Sequence, residues 1–133
     1  MAAPKIFQQT LKVTAAHIDG LHHVNNVQYL YWIQEIAKAH WREITNNTVM
    51  EGVWVVRQHN IIYKKPAYEG DILKISTFVR SLRGPLSERI VHIHNTENNT
   101  LLVQCTTQWC YMEAATRKVL PAPALLKEFI LPE

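Results

Sequence analysis

The sequence predicts an α+β domain in which an antiparallel sheet of five to six strands wraps around one long central helix. Residues 26–44 repeat apolar side chains every three or four positions, the period of a helix with one buried face. Residues 52–114 alternate between strand-like runs and short polar turns. An apolar helix face must be covered, and a twisted antiparallel sheet would cover it. A length of 133 residues suits a single domain over 1–133.

The first predicted elements are a strand and the long helix. The strand covers 5–16, and the helix that follows has about five turns. Asn25 or Asn26 can cap the helix at its N-terminus, and Asn46 and Asn47 end it. Its predicted buried face consists of Val27, Leu30, Ile33, Ala37, Trp41 and Ile44.

Four longer strands are predicted after the helix from their content of β-branched and aromatic residues. They cover 52–66, 72–82, 86–95 and 101–114. Turns rich in Gly, Asn and Pro separate the last three, so these strands should form an antiparallel meander. A shorter strand near 118–120 and a helical turn over 123–130 follow. One sheet edge would stay exposed, and we therefore expect the chain to dimerise.

Composition and charge exclude several classes of protein. The chain is 47% apolar and 19% charged, which is typical of a globular domain. Its formal charge of +3 is scattered, whereas nucleic-acid-binding proteins show a dense basic stripe, so no nucleic-acid partner is expected. No stretch approaches the roughly 20 apolar residues of a membrane span, so membrane insertion is not expected. The first ten residues lack the apolar core of a secretory signal, which predicts a cytoplasmic location.

The two cysteines are predicted to be free thiols. Cys105 and Cys110 lie five positions apart in one predicted strand, so their side chains point to opposite faces and cannot pair. Buried free thiols are usual in a reducing compartment.

Of the two aspartates, one lies where a carboxylate could do chemistry. Asp71 follows Gly70 in a turn, where Gly-Asp is common for backbone reasons. Asp19 lies just before the helix, where unpaired backbone N–H groups can bind an oxyanion. A carboxylate there could act as nucleophile or general base while the N–H groups stabilise developing negative charge. An Asx turn with Gly20 is the more common use of such an aspartate, and both interpretations stay open.

The histidines do not form a recognisable metal site. His22 and His23 are adjacent, His17 precedes them, and His92 and His94 share one face of a strand. Zinc sites usually show a pattern such as H-E-x-x-H or paired cysteines, and the sequence contains neither. We therefore expect no metal.

Three histidines have separate predictions. His23 stands four residues after Asp19 and could orient a substrate carbonyl or share in proton transfer. His40 lies within the helix, where we expect a packing or surface role. His59 lies in the middle of a strand, and the sequence identifies no partner for it.

Residues 19–32 resemble a known motif. The pattern D-x-x-x-H-V-N-N-x-x-Y-x-x-W runs from Asp19 through His23 and Tyr29 to Trp32. It resembles the signature of hot-dog fold thioesterases, and its wording is most similar to the plant and bacterial acyl-ACP thioesterases (ACP, acyl carrier protein). The Asp-to-Tyr spacing also resembles the 4-hydroxybenzoyl-CoA thioesterase group and the Tol-Pal-associated acyl-CoA thioesterases.

Two later segments extend the resemblance over nearly the whole chain. YKKPAYEGDIL (63–73) is similar to the family segment P-A-x-x-G-D-x-L. TTQWCYMEAATRKVLPAP (106–123) is similar to the closing segment T-x-W-x-x-x-D-x-x-T-x-K-x-x-x-x-P. The resemblance implies the hot-dog fold, in which the sheet wraps around the central helix.

The resemblance also implies an activity and three catalytic residues. The family hydrolyses thioesters of CoA or ACP without a metal or cofactor. Asp19 would be the catalytic carboxylate, either attacking the thioester carbonyl or activating water. His23 and a nearby asparagine, Asn25, would belong to the machinery proposed for the acyl-ACP branch.

The chain departs from the acyl-ACP branch at two positions. That branch has an asparagine two residues before the histidine, where this chain has Leu21. An acid or thiol of the same branch falls here on Pro66 and Ala67. An Asp-centred mechanism of the CoA type is therefore favoured.

Six residues are predicted to contact the substrate. Four basic residues are candidates for binding CoA phosphates, although a solvated surface position is the more common role of a single one: Lys64, Lys65, Arg80 and Arg83. Arg80, Arg83 and Arg89 flank one turn. The full predicted set is Asn26, Tyr29, His59, Lys64, Arg80 and Arg83.

The resemblance further implies an active site between two subunits, so we expect a homodimer or a dimer of dimers. Two alternatives to hydrolysis are a hydroxyacyl-thioester dehydratase, which uses a His with a Glu or Asp, and a non-catalytic acyl-CoA-binding module. The position of Asp19 argues against the dehydratase. A binding module usually carries an additional DNA-binding segment, for which this chain has no room.

Overall fold

The computed structural model describes residues 3–132 and places one long helix against a five-stranded sheet. The elements are β1 Phe7–Lys12, α1 Asn26–Ile44, β2 Val53–Tyr63, β3 Ile72–Arg83, β4 Leu86–Asn95 and β5 Leu101–Met112. The strand order is β1-β3-β4-β5-β2, and every pair is antiparallel. The predicted α+β class and the meander of β3, β4 and β5 are confirmed.

The long helix has the predicted bounds but a different buried face. The Asn25 side chain accepts a hydrogen bond of 2.9 Å from the Val27 N–H, which confirms Asn25 as the N-cap. Val27 itself is 69% exposed, so the predicted face is wrong at this end. The buried face instead includes Tyr29, Trp32 and His40, whose large rings carry polar atoms. A count of apolar residues overlooks such side chains. The buried residues are Tyr29, Trp32, Ile33, Ile36, Ala37, Ala39 and His40.

The first strand is shorter than the predicted 5–16. Lys12, its last residue, pairs with Ile72, the first residue of β3. Because β3 starts at Ile72, residues after Lys12 have no strand residue to pair with. The chain then enters a 3₁₀ turn over Ala15–His17. The strand predicted near 118–120 is only an isolated bridge between Met112 and Val119.

The last described residues pack against the core near the C-terminus of α1. The turn predicted over 123–130 is a 3₁₀ helix, Ala124–Phe129. Leu126 and Phe129 are buried in a cluster with Val79. Cys105 and Cys110 are both free and buried, as predicted. Between residues 3 and 132, no helix is long and apolar enough to cross a membrane.

The sheet has two edge strands, β1 and β2. β2 pairs with β5 and contains an irregularity between Val56 and Gln58. An edge strand presents backbone N–H and C=O groups on which another chain can pair. The predicted exposed edge is confirmed. The exposed large apolar residues of β2 are Val53, Val55, Ile62 and Tyr63.

Gly52, just before β2, provides a test of the packing. Its N–H donates to the Tyr111 hydroxyl at 2.7 Å. An added Cβ would lie 2.7 Å from the Met112 carbonyl oxygen and 2.8 Å from the Tyr111 ring. Because the nearest of these atoms is backbone, we expect Gly52→Ala to lower the free energy of unfolding by about 1–3 kcal/mol in urea titrations. Gly20→Ala is the control, since nothing lies within 4 Å of its added Cβ. Equal losses in the two variants would contradict the prediction.

Candidate active site

The loop between β1 and α1 folds into a small hairpin that carries Asp19. Ile18 and Val24 form an antiparallel bridge. The Asp19 N–H donates to the His23 carbonyl at 3.0 Å, and the His22 N–H donates to the Asp19 carbonyl at 3.1 Å. His22 has a positive φ of 68°, which turns the chain back. The hairpin therefore places Asp19 and His23 opposite each other.

The Asp19 carboxylate has one bonded oxygen and one unpaired oxygen. Oδ1 accepts a hydrogen bond of 2.9 Å from the Leu21 N–H, so the Asx turn predicted as the structural role exists. Oδ2 has no hydrogen-bond partner among residues 3–132. The side chain is 26% exposed. The turn therefore orients the carboxylate and leaves one oxygen for chemistry.

His23 lies beside this carboxylate without a hydrogen bond to it. Its Nδ1 is 4.0 Å from Asp19 Oδ1, within ion-pair range when the imidazole is protonated. The same nitrogen lies 3.4 Å from the Val24 carbonyl oxygen. Asp19 and His23 are therefore neighbours. A small rotation of a side chain, or a substrate between the two, would be needed for a proton to pass from one to the other.

The helix N-terminus adjoins the same loop. The Asn25 N–H donates to the His17 carbonyl at 3.0 Å, and the Asn25 side chain caps the helix. Asn25 thus has a structural role, with its amide oxygen already engaged by Val27. Asn26 is exposed at the first helical position. The positive end of the helix dipole therefore lies close to Asp19.

A second predicted segment, the P-A-x-x-G-D stretch at 66–71, is hydrogen-bonded to this loop and to the residue that follows β1. The Val24 N–H donates to the Ala67 carbonyl at 2.9 Å. Val13 exchanges hydrogen bonds of 2.9 Å with the turn, donating to the Asp71 carbonyl and accepting from the Gly70 N–H. Asp71 also accepts from the Tyr68 N–H at 2.9 Å, which confirms its turn role. Two of the three sequence segments thus meet at one site.

Tyr29 occupies the core rather than an open site. It is 2% exposed, and its ring lies 5.7 Å from that of Trp32 and 5.8 Å from that of Tyr63. Its hydroxyl is buried near the Ala67 backbone without a hydrogen bond of good geometry. Burial raises the pKa of Tyr29 to about 12. In one protomer Tyr29 is therefore a packing residue under the loop.

His59, for which the sequence identified no partner, has two. Its Nδ1 lies 2.8 Å from Thr107 Oγ1 and its Nε2 3.5 Å from Gln34 Nε2. The Cys105 sulfur is 3.9 Å from Nδ1. Burial lowers the pKa of His59, which favours the neutral ring at neutral pH. His59 therefore forms a polar cluster between helix and sheet, on edge strand β2.

The four predicted phosphate-binding residues do not all come together in one protomer. Lys65 directly follows Lys64 and is also exposed. Lys64 is exposed, and its N–H donates to the Leu102 carbonyl next to the P-A-x-x-G-D segment. Arg80 forms an ion pair with Glu88 on the neighbouring strand. Arg80 lies about 26 Å along β3 from Ile72, at the end of the sheet away from Asp19. Arg83 lies still further along the same strand.

The sequence interpretation missed one buried polar pair. Arg89, treated there as a charge flanking a turn, is 5% exposed, and its Nη1 donates to His40 Nδ1 at 2.9 Å. His40 is fully buried, which confirms its packing role. Period-two alternation with Val91 and Ile93 places Arg89 on the inner face of β4, and this signal was available in the sequence.

Metal ligands do not converge in the part of the chain that the structure describes. No group of three or more His, Cys, Asp or Glu side chains in residues 3–132 could hold a metal ion. The His92 and His94 rings lie 6.1 Å apart. The expectation of a reaction without a metal stays a prediction.

Comparison with known proteins agrees with this geometry. The chain is 34% identical over 83 residues to the long-chain acyl-CoA thioesterase FadM of Escherichia coli, a match that covers 58% of this chain and 61% of FadM. The chain thus matches about three fifths of the length of this curated relative.

Two solved structures show the same fold. A probable thioesterase of Escherichia coli, YbaW, has a TM-score of 0.77 at 24% identity, covering 92% of this chain and 94% of its own. The 12:0-ACP thioesterase of Umbellularia californica has a TM-score of 0.84 at 13% identity, covering 97% of this chain and 52% of its own. These likenesses confirm the predicted hot-dog fold.

The family itself is shown by a match along almost the entire sequence. The model of the acyl-ACP thioesterase N-terminal domain covers residues 4–129, and so includes the Asp19 loop, α1 and all five strands. The chain therefore belongs to the acyl-ACP thioesterase family of hot-dog fold proteins.

Proposed function

We propose that this protein hydrolyses an acyl thioester of CoA or ACP to a free acid and a thiol. One observation carries the proposal. In the loop that leads into α1, Asp19 has a carboxylate oxygen with no hydrogen-bond partner among residues 3–132, in a chain of the acyl-ACP thioesterase family. A carboxylate and a positive helix end are the groups that acyl transfer to water requires.

The chemistry can follow two routes from this geometry. As a general base, Asp19 Oδ2 takes a proton from water while the water oxygen attacks the thioester carbonyl. As a nucleophile, Asp19 attacks the carbonyl, the thiolate leaves, and water cleaves the resulting mixed anhydride. In both routes the Asn26 N–H and the positive end of the α1 dipole stabilise the oxyanion, because the Val27 and Gln28 N–H groups already donate to Asn25. The departing thiolate takes up a proton. In this proposal His23, whose Nδ1 lies 4.0 Å from Asp19 Oδ1, shuttles that proton.

We propose a homodimer as the functional form. β2 is an edge strand with four exposed large apolar residues, and pairing two copies along it would cover the β2 edge of each copy. His59 lies on the same strand, so a second protomer would approach its cluster. A dimer of dimers remains the larger alternative, and a cytoplasmic location stays a prediction.

Basic residues near the site would bind the phosphate groups of the carrier, CoA or ACP. Lys64 lies near the Asp19 loop, whereas Arg80 and Arg83 lie at the opposite end of the same protomer. In the proposed function Lys64 binds a phosphate of the carrier, and the two arginines act only if a second protomer brings them close. The name of FadM, a long-chain acyl-CoA thioesterase, supports CoA as the first carrier to test.

Thiol release from a panel of acyl-CoAs, with chains from short to long, tests the proposal. Turnover of any member supports it, and the chain-length profile identifies the acyl class. If every acyl-CoA is inert, the same chains on ACP are tested next. Binding of acyl-CoA without release from either carrier would contradict hydrolysis and favour the binding module. Hydration of an enoyl thioester would favour the dehydratase.

A further inference from the structure

A pocket lies beside the C-terminal half of α1, away from the Asp19 loop. Its volume is about 190 Å³. The helix residues that line it, from Ala37 to Trp41, lie about 16–22 Å along α1 from Asn26. Its remaining walls come from the start of β2, from β4 and β5, and from Leu126. The pocket is therefore separate from the proposed catalytic site.

Arg89 contributes a buried positive charge to this pocket. Its Nη1 donates to His40 Nδ1 at 2.9 Å and to Thr77 Oγ1 at 3.1 Å. Its Nε and Nη2 groups have no acceptor among residues 3–132. A guanidinium has five N–H donors, so most of its hydrogen-bonding capacity is left for the pocket.

No acid among residues 3–132 forms an ion pair with Arg89. His40 is neutral, because its Nδ1 accepts from Arg89 while its Nε2 donates to the Pro4 carbonyl at 2.9 Å. Glu88, the neighbour of Arg89 in sequence, is paired with Arg80. None of the described residues that line the pocket is acidic, and Lys38, which also lines it, is ion-paired with Glu35 at 3.6 Å. A buried charge without a counter-ion is costly, so an anion would be bound favourably here.

Tryptophan rings form the apolar walls of the pocket. Trp41 and Trp54 meet edge to face with ring centroids 5.6 Å apart, and Trp109 lies on the sheet side. Flat walls of this kind favour a flat apolar body. An engineered protein cavity of about 150 Å³ binds benzene, so about 190 Å³ accepts a single ring with one small substituent.

We infer that this pocket is a binding site for a small organic carboxylate with a flat apolar body, such as an aryl carboxylic acid. The carboxylate binds the free N–H groups of Arg89, and the ring lies among Trp41, Trp54 and Trp109. A charge-assisted pair with guanidinium is strong and directional, which fixes the orientation of the acid.

Benzoate and benzamide form a matched pair of probes, because they share a shape and differ in charge. Three of the four tryptophans line the pocket, so tryptophan fluorescence reports occupancy. We expect saturable quenching by benzoate with a Kd of about 1 mM or tighter, and binding of benzamide at least about ten-fold weaker. Absence of a saturable benzoate signal, or equal affinity for the two probes, would overturn the proposal.

Two arginine variants locate the bound benzoate. Arg89→Met removes the buried charge and should abolish the preference for benzoate over benzamide. Arg42→Met makes the same change at an exposed position of α1 outside the pocket and should preserve it. An unchanged preference in Arg89→Met would place benzoate elsewhere and overturn the proposal. If circular dichroism shows that Arg89→Met is unfolded, Arg89→Lys replaces it and must retain a preference for benzoate.

Discussion

Asp19→Asn is expected to lower kcat for thioester hydrolysis by about 10²–10⁴-fold, the usual contribution of general acid–base catalysis. The asparagine oxygen can still accept from the Leu21 N–H, so the hairpin that holds residues 18–24 should persist. What disappears is the negative charge that activates water or attacks the carbonyl. The rate is measured by thiol release on the best acyl thioester of the panel, with KM determined in parallel.

Asp71→Asn is the matched control, because it makes the same chemical change at the other aspartate. Asp71 caps the Tyr68 N–H in a turn, and an amide oxygen can take over that hydrogen bond. Its kcat should stay close to that of the wild type. Because an Asn-Gly pair can deamidate back to Asp, Asp19→Ala is prepared as a second variant of the catalytic position. Wild-type rates in both Asp19 variants would remove this residue from the mechanism.

Failure of catalysis and failure of the fold are separable in these variants. If the Asp19→Ala variant is folded and still binds acyl-CoA but releases no thiol, the carboxylate is needed for the chemical step and not for folding or binding. An acyl adduct on Asp19, seen by intact mass after rapid quenching of the wild type, would establish the nucleophilic route. A general base would form no such adduct.

The sequence predicted those features that local chemistry determines. Asn25 has a side chain that caps a helix, and the helix begins there. The three strands of the meander are joined by short turns, and neighbours in sequence pair in the sheet. Asp19 and His23 are four residues apart in one loop, so their proximity needs no long-range contact.

Features that depend on distant contacts could not be predicted in the same way. β2 joins the sheet beside β5, not beside its neighbour in sequence β3, and no local signal specifies that choice. β1 ends at Lys12 because its partner strand starts at Ile72. Lys64 and Arg80 carry equal charges, and only the folded sheet shows that they lie at opposite ends. The same holds for His40, whose partner Arg89 is 49 residues away in sequence.

His40→Gln is expected to flatten the pH dependence of stability between pH 7 and pH 4. Burial, and to a lesser degree the charge of Arg89, lowers the pKa of His40 from 6.5 to about 4 in the folded protein. Between these two values the unfolded chain binds more protons than the native state, so stability rises with pH. The contribution of neutral His40 to the free energy of unfolding is therefore complete above about pH 6.5. It is lost as the pH falls toward 4, a change of about 3 kcal/mol.

Glutamine suits this test because it offers an acceptor and a donor, as the neutral imidazole does, but does not titrate. Urea unfolding of the wild type at pH 7, 6, 5 and 4 should show the loss, and His40→Gln should show a loss smaller by about 3 kcal/mol. Some slope should remain, because burial also lowers the pKa values of His59 and His94. His22→Gln, the same change at an exposed position, should retain the wild-type slope. Equal slopes in His40→Gln and the wild type would mean that the folded protein protonates His40 as readily as the unfolded chain does. Burial beside Arg89 would then not favour the neutral ring, and the stability argument for His40 would be wrong.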